Sequence, residues 1–134
     1  MSPRPPVHVD APARDAIRRA AEEAAPREGC GLLLGETSAE RCSVRRATIA
    51  RNLVPGEDAF EVDPGAVVTA EDEARRAGLA LLGVWHSHPR GPARPSARDR
   101  REAHAGWLQI LAGERELRAW RIEDGCAREV SIEG

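Results

Sequence analysis

Lysine is absent from the sequence, and all 20 basic residues are arginine. Two explanations fit this bias: a GC-rich coding sequence, which is the simpler one, or a protein that cannot be modified on a lysine side chain. A large excess of one charge is absent as well, since the formal net charge is −2 with 31% of residues charged. This balance excludes the basic surface of a nucleic-acid-binding protein and the composition of an acidic disordered chain. We therefore expect no nucleic-acid partner.

Long apolar runs are also absent. No stretch approaches the roughly 20 apolar residues that a membrane span needs, and the amino end, MSPRPPVHVD, lacks the apolar region of a signal peptide. Cysteine is scarce: Cys30, Cys42 and Cys126 are widely spaced without a CxxC pair, which argues against a structural zinc knuckle or a thioredoxin-like site. We expect reduced, mostly buried thiols, a cytoplasmic location and no membrane partner.

The length of 134 residues is typical of one domain, which buries roughly two-thirds of the surface that its unfolded chain exposes. We predict that residues 1–134 form a single domain whose core needs no structural metal. Helical patterns cover residues 11–25 and 64–77, the second with Val67, Val68 and Ala74 toward the core. A short helix is predicted from Ser96 to about His104.

Short apolar or alternating runs between these helices predict strands. An α/β fold follows, with one mixed sheet and helices packed on it. The predicted strands are PVHV, GCGLLLG, CSVRRATIA, LALLGVW, WLQILA, ELRAWRI and AREVSI.

The most informative stretch is GVWHSHPRGPARPSARD, residues 83–99. Side chains two residues apart on a strand share a face, so His86 and His88 present both imidazoles on one side, about 6–7 Å apart along the backbone. Pro89 cannot donate to a strand ladder, so pairing is expected to stop at the second histidine. The pair is therefore predicted at an end of the sheet, where two ring nitrogens can reach one metal and substrate can approach.

Ser96 and Asp99 follow a proline-rich loop that returns the chain toward the histidines. A carboxylate from Asp99 would give two nitrogens and one oxygen. Three protein ligands with a position left for water are typical of a catalytic zinc site, whose chemistry suits amide hydrolysis. Ser96 and Asp99 also fit a helix N-cap and a first-turn acid, and spacing alone favours that interpretation. Composition does not distinguish Glu28 from the other acids among 22 acidic residues.

Together these residues resemble the signature of the JAMM metalloproteases, the zinc-bearing MPN-plus domains. HSHP at 86–89 is followed after six residues by SARD at 96–99, and Glu28 precedes both in EGCGLLLG. Every motif position is matched, and the order of elements is similar along nearly the whole chain. Small single-domain bacterial members are the most similar, and the resemblance implies their mixed sheet flanked by helices in a cytidine-deaminase-like arrangement.

The resemblance implies one Zn²⁺ per chain, with His86, His88 and Asp99 as its ligands. It implies Glu28 as the general base and Ser96 as a donor to the developing oxyanion or the attacking water. The implied activity is that of a zinc metallopeptidase or isopeptidase acting at the carboxyl terminus of a ubiquitin-like or sulfur-carrier β-grasp protein. A diglycine-type tail suits a narrow groove beside the metal, and strand addition is the expected binding mode.

Three alternatives compete with this interpretation. A thiol peptidase would use Cys30, which lies in a predicted buried strand. A zinc deaminase of bases needs HxE and PCxxC, and neither is present. A non-catalytic scaffold of the same fold would bind a ubiquitin-like partner without cleaving it, although such modules lose ligands that this chain keeps. The arginines that follow the histidines form either a solvated face or a dock for an acidic partner: Arg90, Arg94, Arg98, Arg100 and Arg101.

Overall fold

The computed structural model describes residues 5–133. Within them, two helices alternate with the first strands, and a third, short helix precedes a final run of strands. The elements are β1 (Val7–Val9), α1 (Ala11–Ala24), β2 (Cys30–Thr37), β3 (Cys42–Ala47), α2 (Pro64–Ala77), β4 (Ala80–Ser87), α3 (Ala97–Glu102), β5 (Leu108–Ala112), β6 (Leu117–Glu123), β7 (Cys126–Val130) and β8 (Ile132–Glu133).

The strands form one mixed sheet in the order β7-β6-β5-β4-β2-β3-β1-β8. Strand β4 lies in the middle, antiparallel to β2 and parallel to β5. Strands β5, β6 and β7 form an antiparallel meander at one side. This arrangement confirms the predicted α/β fold and places the histidine-bearing strand at the centre of the sheet.

The sheet is strongly curled, because its two edge strands are almost consecutive in the chain. Strands β7 and β8 stand at opposite ends of the strand order, yet only Ser131 separates them. A single residue spans no more than about 3.6 Å, so the two edges must meet there. The backbone N–H of Val7 donates to the Ser131 carbonyl at 2.8 Å at this junction. The prediction of one strand over AREVSI is therefore wrong.

The two longer helices cover opposite faces of the sheet. Ile17 of α1 packs in one apolar cluster with Leu33 and Trp85. Ala74 of α2 packs in a second cluster with Leu34. Leu33 and Leu34 are consecutive in β2 and therefore pack into clusters on opposite faces of the sheet, as the two-residue period of a strand requires.

The boundaries of α2 match the prediction, although one of its core residues does not. The side chain of Asp63 accepts a hydrogen bond from the Gly65 N–H at 2.9 Å, and Gly78 ends the helix at φ 72°. Val67 packs against the core, but Val68 is 68% exposed. One residue along a helix turns the side chain by about 100°, which carries Val68 away from the face that Ala74 shares with Val67.

The remaining expectations concern the cysteines and membrane spans. Cys30 and Cys42 are buried and Cys126 is exposed, and all three are free thiols. Two of the three therefore match the predicted burial. None of the helices within residues 5–133 has the length and apolar character needed to cross a membrane.

Candidate metal centre

The two histidines lie where β4 ends. His86 is the penultimate residue of the strand and is almost completely buried, whereas His88 follows the strand and keeps 14% of its side chain exposed. The backbone N–H of His88 still donates to the Ala112 carbonyl of β5 at 2.8 Å. Strand pairing therefore stops next to Pro89, as predicted. The imidazole of His88 lies at this end of the sheet and is partly exposed to solvent.

The start of α3 holds Asp99 in a reciprocal cap. The Ser96 hydroxyl accepts a hydrogen bond from the Asp99 N–H at 3.0 Å, and Asp99 Oδ2 accepts one from the Ser96 N–H at 2.9 Å. Ser96 is thus the N-cap and Asp99 the first-turn acid, as the alternative interpretation predicted, and together they form a capping box. The same Oδ2 atom also lies 3.1 Å from His86 Nε2 and 3.2 Å from His88 Nε2. Asp99 therefore caps the helix and approaches both histidines at the same time.

Three atoms converge on one point and form a nearly equilateral triangle. The two Nε2 atoms are 3.2 Å apart, and Asp99 Oδ2 is 3.1 and 3.2 Å from them. Tetrahedral zinc has ligand bonds of about 2.0–2.2 Å, which places its ligand atoms about 3.3–3.6 Å from one another. The sides of the triangle are slightly shorter than this, so a small outward movement of the three atoms would give one face of a zinc tetrahedron.

The proton arrangement also favours a cation at this point. His88 Nδ1 lies 3.0 Å from the Pro92 carbonyl, which only accepts, so Nδ1 carries a proton. In the neutral imidazole the His88 Nε2 atom is then an acceptor. Its 3.2 Å contact with Asp99 Oδ2 consequently joins two acceptors, which a positive ion between them would satisfy.

Burial and hydrogen bonds also set the ionisation of the three residues that form the triangle. Burial disfavours the charged form of Asp99, but hydrogen bonds from His86 and His88 outweigh it and hold the pKa of this carboxyl far below its usual range. Burial lowers the pKa of His86 and so favours the neutral ligand form. Burial also acts against charge on His88, yet its hydrogen bonds to Asp99 and the Pro92 carbonyl raise its pKa. The raised pKa of His88 belongs to the form in which Nε2 is protonated and donates to Asp99, so a proton and a metal ion would compete for this position.

Glu28 stands beside the triangle at the entrance to β2. One of its carboxylate oxygens and one nitrogen of each histidine lie within 4.8 Å of one another. The residue is 7% exposed, and its Oε1 atom makes no hydrogen bond within residues 5–133. Burial raises the pKa of Glu28 to about 7, with Asp99 and Asp58 adding to the increase and His88 opposing it.

Either Glu28 or Asp99 could supply the oxygen that completes a site with the two histidines. Asp99 Oδ2 approaches both Nε2 atoms to 3.2 Å or less and is fixed by the Ser96 cap. The corresponding set with Glu28 spreads over as much as 4.8 Å. Asp99 therefore has the closer geometry for a ligand, and Glu28 lies next to the site without approaching both histidines as closely.

Ser87, which the sequence analysis did not single out, connects the strand of the histidines to the segment of Glu28. Its hydroxyl accepts a hydrogen bond from the Gly29 N–H at 2.8 Å, and its own N–H donates to the Gly29 carbonyl at 3.0 Å. Both groups are buried, and 58 residues separate them in the chain. No local pattern signals such a contact.

Replacing Ser87 with alanine is expected to lower the free energy of unfolding by about 1–3 kcal/mol, because the buried Gly29 N–H loses its acceptor. Urea denaturation of the metal-free protein measures the change. Ser131→Ala is the matched control, since Ser131 is exposed and its hydroxyl makes no hydrogen bond within residues 5–133. Equal stabilities of the two variants would contradict a stabilising role of the hydrogen bond between the Gly29 N–H and the Ser87 hydroxyl.

Phe60 and Asn52 are two further residues that the sequence analysis missed. Phe60, the single phenylalanine of the chain, stacks on His86 with ring centroids 4.1 Å apart and planes 19° from parallel. It shields the ring of the buried ligand candidate from solvent. The only sequence signal was its isolated aromatic character within a polar loop.

Asn52 fixes the loop that carries Phe60. Its Nδ2 donates to the carbonyls of Glu28 and Ala59 at 2.9 and 3.1 Å. Its Oδ1 accepts from the backbone N–H groups of Val54 and Glu61 at 2.9 and 3.1 Å. One amide side chain therefore ties both ends of the loop to the backbone of Glu28.

The thiol alternative loses support at this site. Burial raises the pKa of the Cys30 thiol to about 11, so the nucleophilic thiolate is disfavoured at neutral pH. The nearest hydrogen-bond acceptor of Cys30 is the Ala50 carbonyl, at 3.7 Å from Sγ. Cys30 therefore lacks the activated thiolate that a Cys–His nucleophile needs.

Comparison with known proteins agrees with the site. Residues 10–123 match the family described as prokaryotic homologs of the JAB domain. A probable TtuB-protein conjugate cleaving protease of Thermus thermophilus is 38% identical over 109 residues, which cover 81% of this chain and 69% of that protein. A desampylase of Haloferax volcanii is 34% identical over 131 residues, 92% of this chain and 94% of that protein.

Solved structures of similar sequence share the fold. The solution structure of a protein from Desulfitobacterium hafniense has a TM-score of 0.86 at 28% identity and covers 95% of this chain and 91% of its own. A solution structure from Salinibacter ruber has a TM-score of 0.72 at 30% identity, with coverages of 93% and 89%. The chain therefore belongs to the prokaryotic JAB-domain family, which confirms the resemblance to the JAMM metalloproteases.

Proposed function

We propose that this protein is a zinc-dependent hydrolase that cleaves a peptide or isopeptide bond at the carboxyl-terminal tail of a ubiquitin-like or sulfur-carrier protein. The observation that carries the proposal is the convergence of His86 Nε2, His88 Nε2 and Asp99 Oδ2 within 3.2 Å of one another, beside the buried Glu28. Relatives described as a conjugate cleaving protease and as desampylases support the same reaction class.

His86, His88 and Asp99 are the residues that would hold one Zn²⁺ per chain. The ion would supply a Lewis acid that polarises a carbonyl group and makes water more acidic. The Pro92 carbonyl fixes the tautomer of His88, and the Ser96 N–H fixes the orientation of the Asp99 carboxylate. The protein thus orients two of its three proposed ligands through backbone groups.

Glu28 is the proposed general base and acid. It takes a proton from the attacking water, whose oxygen bonds to the carbonyl carbon, and then gives that proton to the departing nitrogen as the C–N bond breaks. In the metal-free protein burial raises the pKa of this carboxyl to about 7, which favours uptake as well as release of a proton near neutral pH. We assign this proton transfer to its Oε1 atom, which has no hydrogen-bond partner in the described part of the chain.

Ser96 is the proposed oxyanion donor. Its oxygen already accepts from the Asp99 N–H, so its hydroxyl proton remains free to donate. A donor to a developing oxyanion contributes about 3 kcal/mol of transition-state stabilisation in comparable sites. Ser96 is exposed to solvent, where a bound carbonyl can reach it.

The proposed partner is a β-grasp protein with a diglycine-type tail, bound by strand addition in a groove beside the metal. We propose no nucleic-acid or membrane partner. We further propose that residues 1–134 act as one domain in the cytoplasm, which the three free thiols support.

Cleavage of a defined conjugate tests the function. A β-grasp protein ending in Gly-Gly, joined through that carboxyl terminus to the lysine of a fluorescent peptide, is incubated with zinc-loaded protein. We expect release of the peptide, loss of release with a chelator, and recovery on adding zinc. Binding of the conjugate without any cleavage by the zinc-loaded protein would support a non-catalytic MPN-type scaffold instead.

A further inference from the structure

A large cavity with mostly apolar walls borders the candidate metal centre, because Asp99 belongs to its lining. Apolar groups such as Phe60, Val84 and Trp107 form much of its wall. Its volume of about 640 Å³ corresponds to roughly 20 water molecules at about 30 Å³ each. The cavity that contains His88 measures only about 160 Å³. Of these two, the larger is therefore the one with room for several residues of an extended tail.

Gln109 contributes a polar side chain to the floor of the larger cavity. It lies on β5 directly beside Val84 of β4, and neighbouring residues of paired strands share a face of the sheet. His86, two residues beyond Val84, lies on that same face. Because β5 pairs with strands on both sides, its backbone groups belong to the sheet. The group that faces the cavity is therefore the amide side chain of Gln109.

The amide of Gln109 lacks a partner in the protein. The residue is 4% exposed, yet its side chain makes no hydrogen bond within residues 5–133. Buried amides are normally paired with protein groups or with water, since an unpaired one is costly. The open cavity gives solvent access to this amide in the free protein. A ligand that fills the cavity displaces this solvent and must itself provide the hydrogen bond.

The spacing along β4 identifies the tail residue that meets Gln109. Val84, the neighbour of Gln109, precedes His86 by two residues, which is a rise of about 6–7 Å along the strand. An extended tail rises by the same distance over two residues. When the carbonyl of the last glycine lies at the metal centre, the residue before a Gly-Gly end therefore lies beside Gln109. The two glycines themselves have no side chain that could reach the amide.

The surroundings of Gln109 favour an uncharged polar side chain at that position. A glutamine amide both donates and accepts hydrogen bonds, so a hydroxyl or an amide group satisfies it and an aliphatic group does not. The ionic groups of the lining, Glu61, Arg98 and Glu102, are exposed residues. Arg98 Nε already donates to the two Glu102 carboxylate oxygens at 3.0 and 3.1 Å. A charged side chain at the depth of Gln109 would enter apolar surroundings without a partner.

We propose that Gln109 is a specificity-determining residue, which selects tails whose Gly-Gly end follows a residue with an uncharged polar side chain over tails with an aliphatic residue there. This inference rests on the proposed function, because it takes the carboxyl-terminal tail of the substrate as the occupant of the cavity. The polar side chain of the tail replaces the solvent that satisfied the Gln109 amide. An aliphatic side chain leaves the amide buried and unpaired.

Binding of two tail peptides tests the selectivity without relying on catalysis. Threonine and valine are both β-branched and differ in one hydroxyl group, so they isolate the hydrogen bond. Acetylated hexapeptides ending in Thr-Gly-Gly or Val-Gly-Gly are titrated into ¹⁵N-labelled, zinc-loaded protein, and amide shifts are followed by NMR. We expect the threonine peptide to bind at least about fivefold more tightly, the lower end of the effect of leaving a buried amide unpaired. The same exchange one residue farther from the end should have no effect, because that side chain points to the opposite side of an extended tail.

Gln109→Met removes the hydrogen-bonding groups and keeps an unbranched side chain, so the preference should disappear or turn toward valine. The variant should remain folded, since the amide that it loses has no partner within residues 5–133. Thr69→Val is the control for the loss of a polar group, because Thr69 is exposed on α2 and donates only to the Gly65 carbonyl of its own helix. Equal or undetectable binding of both peptides by the unmodified protein, or a preference for threonine that persists in Gln109→Met, would overturn the proposal.

The hydrolase and the selectivity fail in different ways. Selective binding that depends on Gln109, without cleavage of any conjugate, would uphold the selectivity and reject the hydrolase. Cleavage of threonine and valine conjugates with equal kcat/KM, together with equal binding of the two peptides, would uphold the hydrolase and reject the role of Gln109.

Discussion

Replacing Glu28 with glutamine is expected to reduce conjugate cleavage by about 10²–10⁴-fold while the protein still binds one zinc per chain. Glutamine matches the shape of the side chain but cannot take up the proton, and general acid–base catalysis contributes a factor of this size. Single-turnover cleavage gives the rate, and elemental analysis of the same sample gives the zinc content. Full activity of Glu28→Gln would remove Glu28 from the mechanism.

The stability of the same variant provides an internal control for its fold. Burial raises the pKa of Glu28 from 4.5 to about 7, so the metal-free folded state becomes less stable as pH rises between these two values. Glutamine cannot ionise, and the metal-free variant should therefore be at least as stable as the unmodified protein at pH 8. Glu22→Gln, at an exposed position on α1, should change neither cleavage nor stability.

Replacing His88 with alanine is expected to weaken zinc binding by more than about 100-fold. Altering a group that merely orients a ligand costs about 10–100-fold in affinity, and removal of a ligand costs more. Competition with a chromophoric chelator measures the zinc affinity. His8→Ala is the matched control, because His8 lies on β1 and pairs with Asp10 at 3.2 Å. Undiminished zinc affinity of His88→Ala would reject the ligand assignment.

The local features of the site could be predicted from the sequence because they depend on short-range geometry. The spacing of His86 and His88 fixes a common face, and Pro89 fixes the end of pairing. Spacing alone also predicted that Ser96 and Asp99 cap a helix, and the structure has that cap. What spacing did not provide was the position of the helix relative to β4, and so the choice of Asp99 as a ligand depended on the family resemblance.

The long-range contacts could not be predicted in the same way. Ser87 and Gly29 are 58 residues apart, and nothing in either local sequence specifies that they meet. Asn52 and Phe60 belong to a loop whose turn residues indicated only irregular structure, yet they contact the residues around the metal centre. The curling of the sheet at Ser131 is likewise a property of the whole strand order.

Anomalous X-ray scattering at the zinc edge from crystals grown with one equivalent of zinc tests the central claim most directly. We predict a single anomalous peak about 2.0–2.2 Å from His86 Nε2, His88 Nε2 and Asp99 Oδ2, with Glu28 outside the coordination shell. A peak coordinated by Glu28 in place of Asp99, or no peak at the two histidines, would contradict the account.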